Sequence, residues 1–156
     1  MKAIVLKEYG IPEVLQEVEI DIPAIKETQV LVEMYAASIN PADYVLRSGA
    51  VKDIMPVQLP YVLGADLAGV VKEIGNKVTH VKPGDRVMGI ALNNGGAYAD
   101  YVVVEENALA IIPQTLSFKE AAALPVIGLT AWQSLFQYGK LQPGQRRFNL
   151  KNLFNT

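Results

Sequence analysis

Few residues in this chain are placed to do chemistry, and the clearest group is Ser38-Ile39-Asn40-Pro41-Ala42-Asp43-Tyr44, a polar cluster inside an otherwise apolar run. Asn40 has two readings there. Its side chain can cap a helix that begins at Pro41, or its amide can point into a cleft as a hydrogen-bond donor. Metal chemistry finds little to work with. Zinc takes three or four Cys, His or carboxylate ligands, whereas the 156 residues include no cysteine and one histidine, His80. His80 stands between Thr79 and Val81 ahead of a Pro-Gly turn and reads as a surface residue at a strand end. Without cysteine there is also no disulfide and no thiolate nucleophile. No Gly-x-Ser-x-Gly occurs, and Ser38, Ser48, Ser117 and Ser134 have no histidine near them in sequence, which weakens a hydrolase reading. Gly64-Ala65-Asp66-Leu67-Ala68-Gly69 matches only part of a dinucleotide fingerprint and precedes a strand pattern instead of a helix, so it is no phosphate loop.

Composition narrows the field further. With 51% apolar residues the chain can bury a core of its own. Fourteen basic against sixteen acidic side chains leave a net charge of −2, with no block of either sign to follow a phosphate backbone, so nucleic acid is not an expected partner. The apolar run Ala3 to Leu6 is too short for a signal sequence, and no stretch approaches the roughly 18 apolar residues of a membrane span. The expectation is a soluble, cytoplasmic protein.

The elements that would position the polar cluster are mostly strands. Ala3–Leu6, Val14–Ile20, Gln29–Ala37, Leu67–Ile74, Arg86–Ile90, Tyr98–Val104 and Leu109–Ile112 are rich in Val, Ile and Tyr and are separated by turn residues. Seven short strands with Gly and Pro punctuation predict a barrel or sandwich. Pro83-Gly84-Asp85 is a turn, and Asn93-Asn94-Gly95-Gly96 is expected to be a mobile loop. One helix should start at Asn40-Pro41 and stop at Gly49. Ser117-Phe118-Lys119-Glu120 is a capping box for a second. A third is expected over Val126–Tyr138, where Ile127, Leu129, Ala131, Trp132, Leu135 and Phe136 recur at helical spacing and Gly139 offers a C-terminal cap. A β-rich body over about residues 1–115 thus gives way to a helical segment.

Five ordered segments carry a family resemblance: Ala36-Ala37-Ser38-Ile39-Asn40-Pro41-Ala42-Asp43, Leu63-Gly64-Ala65-Asp66-Leu67-Ala68-Gly69-Val70-Val71, Val81-Lys82-Pro83-Gly84-Asp85-Arg86-Val87, Gly96-Ala97-Tyr98-Ala99-Asp100-Tyr101, and Ala121-Ala122-Ala123-Leu124-Pro125 with Gly128-Leu129-Thr130-Ala131. Over about residues 1–146 the chain resembles the medium-chain dehydrogenase/reductases, in particular their zinc-free, quinone oxidoreductase-like branch. The resemblance implies a mainly β fold with helices: a GroES-like (alcohol dehydrogenase-like) β-barrel catalytic domain at 1–115, then the first helices of an incomplete Rossmann domain at 116–146. Zinc-dependent members carry a cysteine at the place of Asn40 and a His-Glu pair at the places of Ala65 and Asp66, in agreement with the metal argument. The resemblance further implies hydride transfer from NADPH to a quinone or an α,β-unsaturated carbonyl. Asn40 would lie near the nicotinamide as the catalytic and cofactor-binding amide, and Thr130 at the cofactor cleft. Position 45 is Val45 where relatives often place Tyr or Lys, so Tyr44, one residue away, is a weaker cofactor contact. Asp43, beside a helix N-terminus, is given a structural role toward the helix dipole and no catalytic one.

After Arg146 the chain departs from that pattern. The family would continue with a buried strand, a glycine-rich turn over the cofactor phosphates and roughly 150 further residues of doubly wound sheet. Residues 147–156 read Arg-Phe-Asn-Leu-Lys-Asn-Leu-Phe-Asn-Thr instead, an atypical tail, and the expectation is a truncation or a reading-frame change. The backbone N–H groups that bind pyrophosphate belong to the turn that does not follow, so tight NADPH binding and turnover are not expected of this chain alone. Ile127, Trp132 and Phe136 would be left partly uncovered, which predicts self-association through 126–138. The alternative is a non-catalytic GroES-like binding or interaction module.

Overall fold

A computed structural model describes residues 1–91 and 96–146. Gln29–Ala37 forms the central strand, β3, of a five-stranded antiparallel sheet in the order β7-β3-β5-β6-β8, with β5 at Asp66–Ile74, β6 at Arg86–Ile90, β7 at Tyr101–Glu105 and β8 at Leu109–Ile111. Side chains alternate across this sheet, as the period of two requires. Val30, Val32, Leu67, Val71, Val87, Val102 and Val104 point to one face and make the main core. Ala36, Ala68 and Met88 point to the other, where they meet Ile112, Ala121 and Ala122. Two register shifts against β5, at Leu31/Val32 and Met34/Ala36, interrupt the long central strand. Such bulges bend a strand and increase its twist, which a closing sheet needs.

A smaller sheet, β2-β1-β4, is built from β1 at Lys2–Leu6, β2 at Leu15–Glu19 and β4 at Tyr61–Val62. Residues 98–100 join the two sheets. The Ile4 N–H donates to the Tyr98 carbonyl at 2.8 Å, the Asp100 N–H to the Lys2 carbonyl at 2.9 Å, and the Met34 N–H to the Asp100 carbonyl at 2.8 Å. The result is the expected GroES-like barrel with few helices. The strand expected over Tyr98–Val104 therefore starts later, at Tyr101, because its first three residues serve both sheets. The two-residue β4 was not expected at all, being too short to leave a pattern.

Helix α1, Pro41–Ser48, runs between Asn40 and Gly49 as expected, and Gly49 takes the left-handed conformation at φ 79°. Helix α2, Phe118–Ala122, opens on the Ser117/Glu120 box: the Glu120 carboxylate accepts the Ser117 N–H at 2.9 Å. Phe118 stacks on Tyr35 with ring centroids 4.6 Å apart, and the Arg86 guanidinium lies 4.6 Å from the Phe118 ring centre, which fixes α2 to the sheet. Beyond it the expected 126–138 helix is two things. Helix α3, Pro125–Trp132, has proline at its start, and Gln133–Tyr138 continues it as a π-helical turn. Gly139 is needed there for closeness and not as a left-handed cap: its φ is −76°, a Cβ would lie 2.7 Å from the Ser134 carbonyl oxygen, and Lys140 takes the positive φ of 47°. Most of the 93–96 loop and the 147–156 tail fall outside the described residues.

Candidate functional site

The site is assembled where the end of β3, the start of α1, the start of β5 and the start of α3 meet. Asp66 opens β5 and is 0% exposed. A carboxylate taken out of water must be met by donors, and three converge on it. Asn40 Nδ2 donates to Oδ2 at 2.9 Å, the Ser38 hydroxyl donates to the same oxygen, and the Val126 N–H in the first turn of α3 donates to Oδ1 at 2.8 Å. Asn40 Nδ2 also lies 3.3 Å from Ser38 Oγ, on the same side as the Asp66 oxygen to which that hydroxyl is bonded.

Asn40 is thus both helix cap and network member. Its backbone N–H donates to Asp43 Oδ2 at 2.7 Å, the reciprocal arm of a capping box. The same Asp43 oxygen accepts the Tyr98 hydroxyl at 2.8 Å, while the Tyr98 oxygen lies 3.2 Å from the Ser38 carbonyl. Burial, and then the hydrogen bond and charge of Asp43, push the Tyr98 phenol far above the ordinary tyrosine range, so it stays a donor. Burial and the Asp43 charge also raise Tyr61. Among the described residues no buried side-chain polar atom lacks a partner.

Beside this network opens a cavity of about 630 Å³, lined by Asp43, Leu46, Met55, Val57, Tyr61 and Gly64 among others. Its walls are mainly apolar with a few polar groups, and its size suits a small organic molecule. The network reaches it through Asp43.

Of the residues singled out from sequence, Asn40 is buried at the centre. Thr130 stands on the exposed α3, four residues and so one turn along the same face from Val126. Tyr44 is 56% exposed on α1 and is not drawn into the network. His80 is exposed, with its backbone N–H on Glu106. Sequence reasoning missed Asp66 and Tyr98. The signal for Asp66 was a lone carboxylate heading the apolar run Leu67 to Val71. For Tyr98 there was none.

A GroES-like barrel of this topology, with a buried polar network beside an apolar cavity, defines an alcohol dehydrogenase-like fold. The chain belongs to the alcohol dehydrogenase GroES-like domain family, whose pattern matches residues 26–114. Its relatives are quinone oxidoreductases of the medium-chain dehydrogenase/reductase family. It is 35% identical over 146 residues to the quinone oxidoreductase of Mus musculus, covering 93% of this chain and 43% of that protein. Against the 2-methylene-furan-3-one reductase of Solanum lycopersicum it is 42% identical over 147 residues, covering 89% of this chain and 38% of that one. The quinone oxidoreductase of Coxiella burnetii superposes with a TM-score of 0.81 at 38% identity, over 92% of this chain and 46% of that one. The quinone oxidoreductase of Escherichia coli complexed with NADPH gives 0.80 at 38%, over 88% and 41%. The chain therefore spans less than half the length of these relatives.

Proposed function

We propose that residues 1–115 are the substrate-side domain of an NADPH-dependent oxidoreductase acting on a quinone or an α,β-unsaturated carbonyl, and that residues 116–146 begin its nucleotide-binding part. The observation that carries this reading is the apolar cavity beside the buried Asn40–Asp66–Asp43 network, in a chain related to quinone and enone reductases. The residues present suit a nicotinamide. Asn40 and Thr130 are neutral hydrogen-bonding groups on elements that meet at Asp66, and neither brings a charge that would oppose the ring. When bound, NADPH supplies the hydride. The chain's own contribution is to hold the acceptor in the cavity and to offer the Asn40 amide to the carbonyl oxygen on which negative charge develops, without zinc. One hydrogen of that amide faces Asp66 and Ser38, which leaves the other for an incoming oxygen.

The protein works in the cytoplasm. The exposed face around Ile127, Trp132 and Phe136 supports self-association with a second copy of the chain, and it is the feature that favours the second reading, a non-catalytic interaction module. Titration with a benzoquinone, followed by ¹H–¹⁵N NMR, tests the main reading. Shifts should concentrate on Leu46, Val57, Tyr61 and Gly64, and Leu46→Trp should abolish them by filling the cavity. NADPH should quench the fluorescence of Trp132, which stands two residues from Thr130. Quinone shifts scattered away from the cavity overturn it.

A further inference from the structure

We propose that Asp66 is a positioning residue that sets the orientation of the Asn40 amide and ties it to the first turn of α3, an inference that deepens the functional reading above and rests on it for its consequence. Three observations carry it. Asp66 is fully buried, and both of its oxygens accept: Oδ1 from the Val126 N–H, and Oδ2 from Asn40 Nδ2 and the Ser38 hydroxyl. The Asn40 group that faces it must therefore be the NH2, so the amide's oxygen is turned to the side of the Asp43 N–H. The other carboxylate oxygen takes the Val126 N–H from a different element, 60 residues away in sequence. One side chain thus reads both the amide expected to face the acceptor and the helix that bears Thr130.

The coupling has a direction that chemistry dictates. If position 66 carried a neutral amide, its NH2 would confront either the Asn40 NH2 or the Val126 N–H, a donor against a donor, and one contact would be lost. Ser38 is different, because its hydroxyl can turn and serve as donor or acceptor. The consequence is that the Asn40 amide and the first turn of α3 hang on one side chain, and a residue at 66 that cannot accept at both positions gives up one of the two.

The test uses the 156-residue chain labelled with ¹⁵N, reading the Asn40 side-chain NH2 signals and hydrogen exchange at the Val126 amide. In the parent chain the NH2 pair is resolved and Val126 is protected. Asp66→Asn should break one of the two contacts: either the shift separation of the Asn40 pair collapses, or exchange at Val126 speeds about tenfold or more. Ser38→Ala should leave Val126 exchange within about threefold of the parent. In the double variant Asn40→Asp/Asp66→Asn, the introduced amide can donate to the introduced carboxylate while its oxygen takes the Val126 N–H, so Val126 should be as protected as in the parent. Asp66→Asn that leaves both the Asn40 pair and Val126 exchange unchanged overturns the proposal, as does a Ser38→Ala chain that loses Val126 protection. Should Asp66→Asn fail to fold, the double variant and Ser38→Ala decide in the same way, a double variant with Val126 unprotected counting against it. None of these readouts uses NADPH or an acceptor, so silence toward NADPH counts against the functional reading alone.

Discussion

The Tyr98 ring lies directly over Gly64: a Cβ built on that glycine would meet Tyr98 Cδ1 at 2.6 Å, and the backbone there has φ 97°. The Tyr98 N–H donates to the Leu63 carbonyl at 3.0 Å and the Ala97 N–H to the Gly64 carbonyl at 3.2 Å, so neither segment can back away without breaking the other. This contact holds the tyrosine hydroxyl on Asp43, and Gly64 itself lines the cavity.

Gly64→Ala is expected to destabilise the chain by about 2–4 kcal/mol, the sum of a left-handed backbone penalty and overpacking. Gly84 has a similar φ of 91°, but nothing lies within 4 Å of its Cβ position. Gly84→Ala should therefore cost only about 1–2 kcal/mol, the backbone share alone. Urea unfolding of the two variants separates the terms, and equal losses would mean that the Tyr98 contact is unimportant.

Tyr98→Phe keeps the ring over Gly64 and removes the donor to Asp43, whose carboxylate retains the Asn40 N–H. The expected loss is about 1–2 kcal/mol. A phenol whose folded pKa is raised stabilises the fold fully below its unfolded value of about 10, and that contribution fades as pH climbs above it. Thermal scans from pH 8 to 11 should show the parent losing stability faster than Tyr98→Phe. Parallel curves would refute the pairing.

At the acid end the sign reverses. The Ser117 backbone N–H, then its hydroxyl, hold Glu120 below the usual glutamate range. A lowered folded pKa contributes stability above the unfolded value of about 4.3 and loses it as pH falls through the folded value. Glu120→Ala should accordingly be less stable than the parent at pH 7, with the gap narrowing below pH 4. Circular dichroism melts at the two pH values check this. Ser117→Ala should cost about 1 kcal/mol at neutral pH by removing the other half of the box.

Helix α3 and the turn after it present Ile127 at 65% exposure and Trp132 at 63%, with the Trp132 and Phe136 rings 4.5 Å apart. Light scattering should find concentration-dependent association of the chain, reduced to monomer in Trp132→Ser/Phe136→Ser. A parent chain that is monomeric over a wide concentration range sinks the proposal that these rings mediate it.

What could be read from sequence was whatever neighbouring residues settle among themselves. Strands Gln29–Ala37 and Arg86–Ile90 lie where alternation and β-branched residues put them, α1 runs from Pro41 to its stop at Gly49, and α2 opens on Ser117 and Glu120, because each of these signals acts within a few residues. The family, too, was legible, since it is written in short ordered segments. Tertiary structure decided the site. Asp66 meets Asn40, Ser38 and Val126 across 26, 28 and 60 residues, and Tyr98 reaches Asp43 across 55, separations over which no local preference operates. The same holds for the three residues shared between two sheets at 98–100 and for the glycine at 139, whose constraint is a carbonyl oxygen brought close by a π turn. Spacing along a chain reports which atoms a helix or strand aligns. It does not report which elements pack together, and the donors that a buried carboxylate needs are found only after they have.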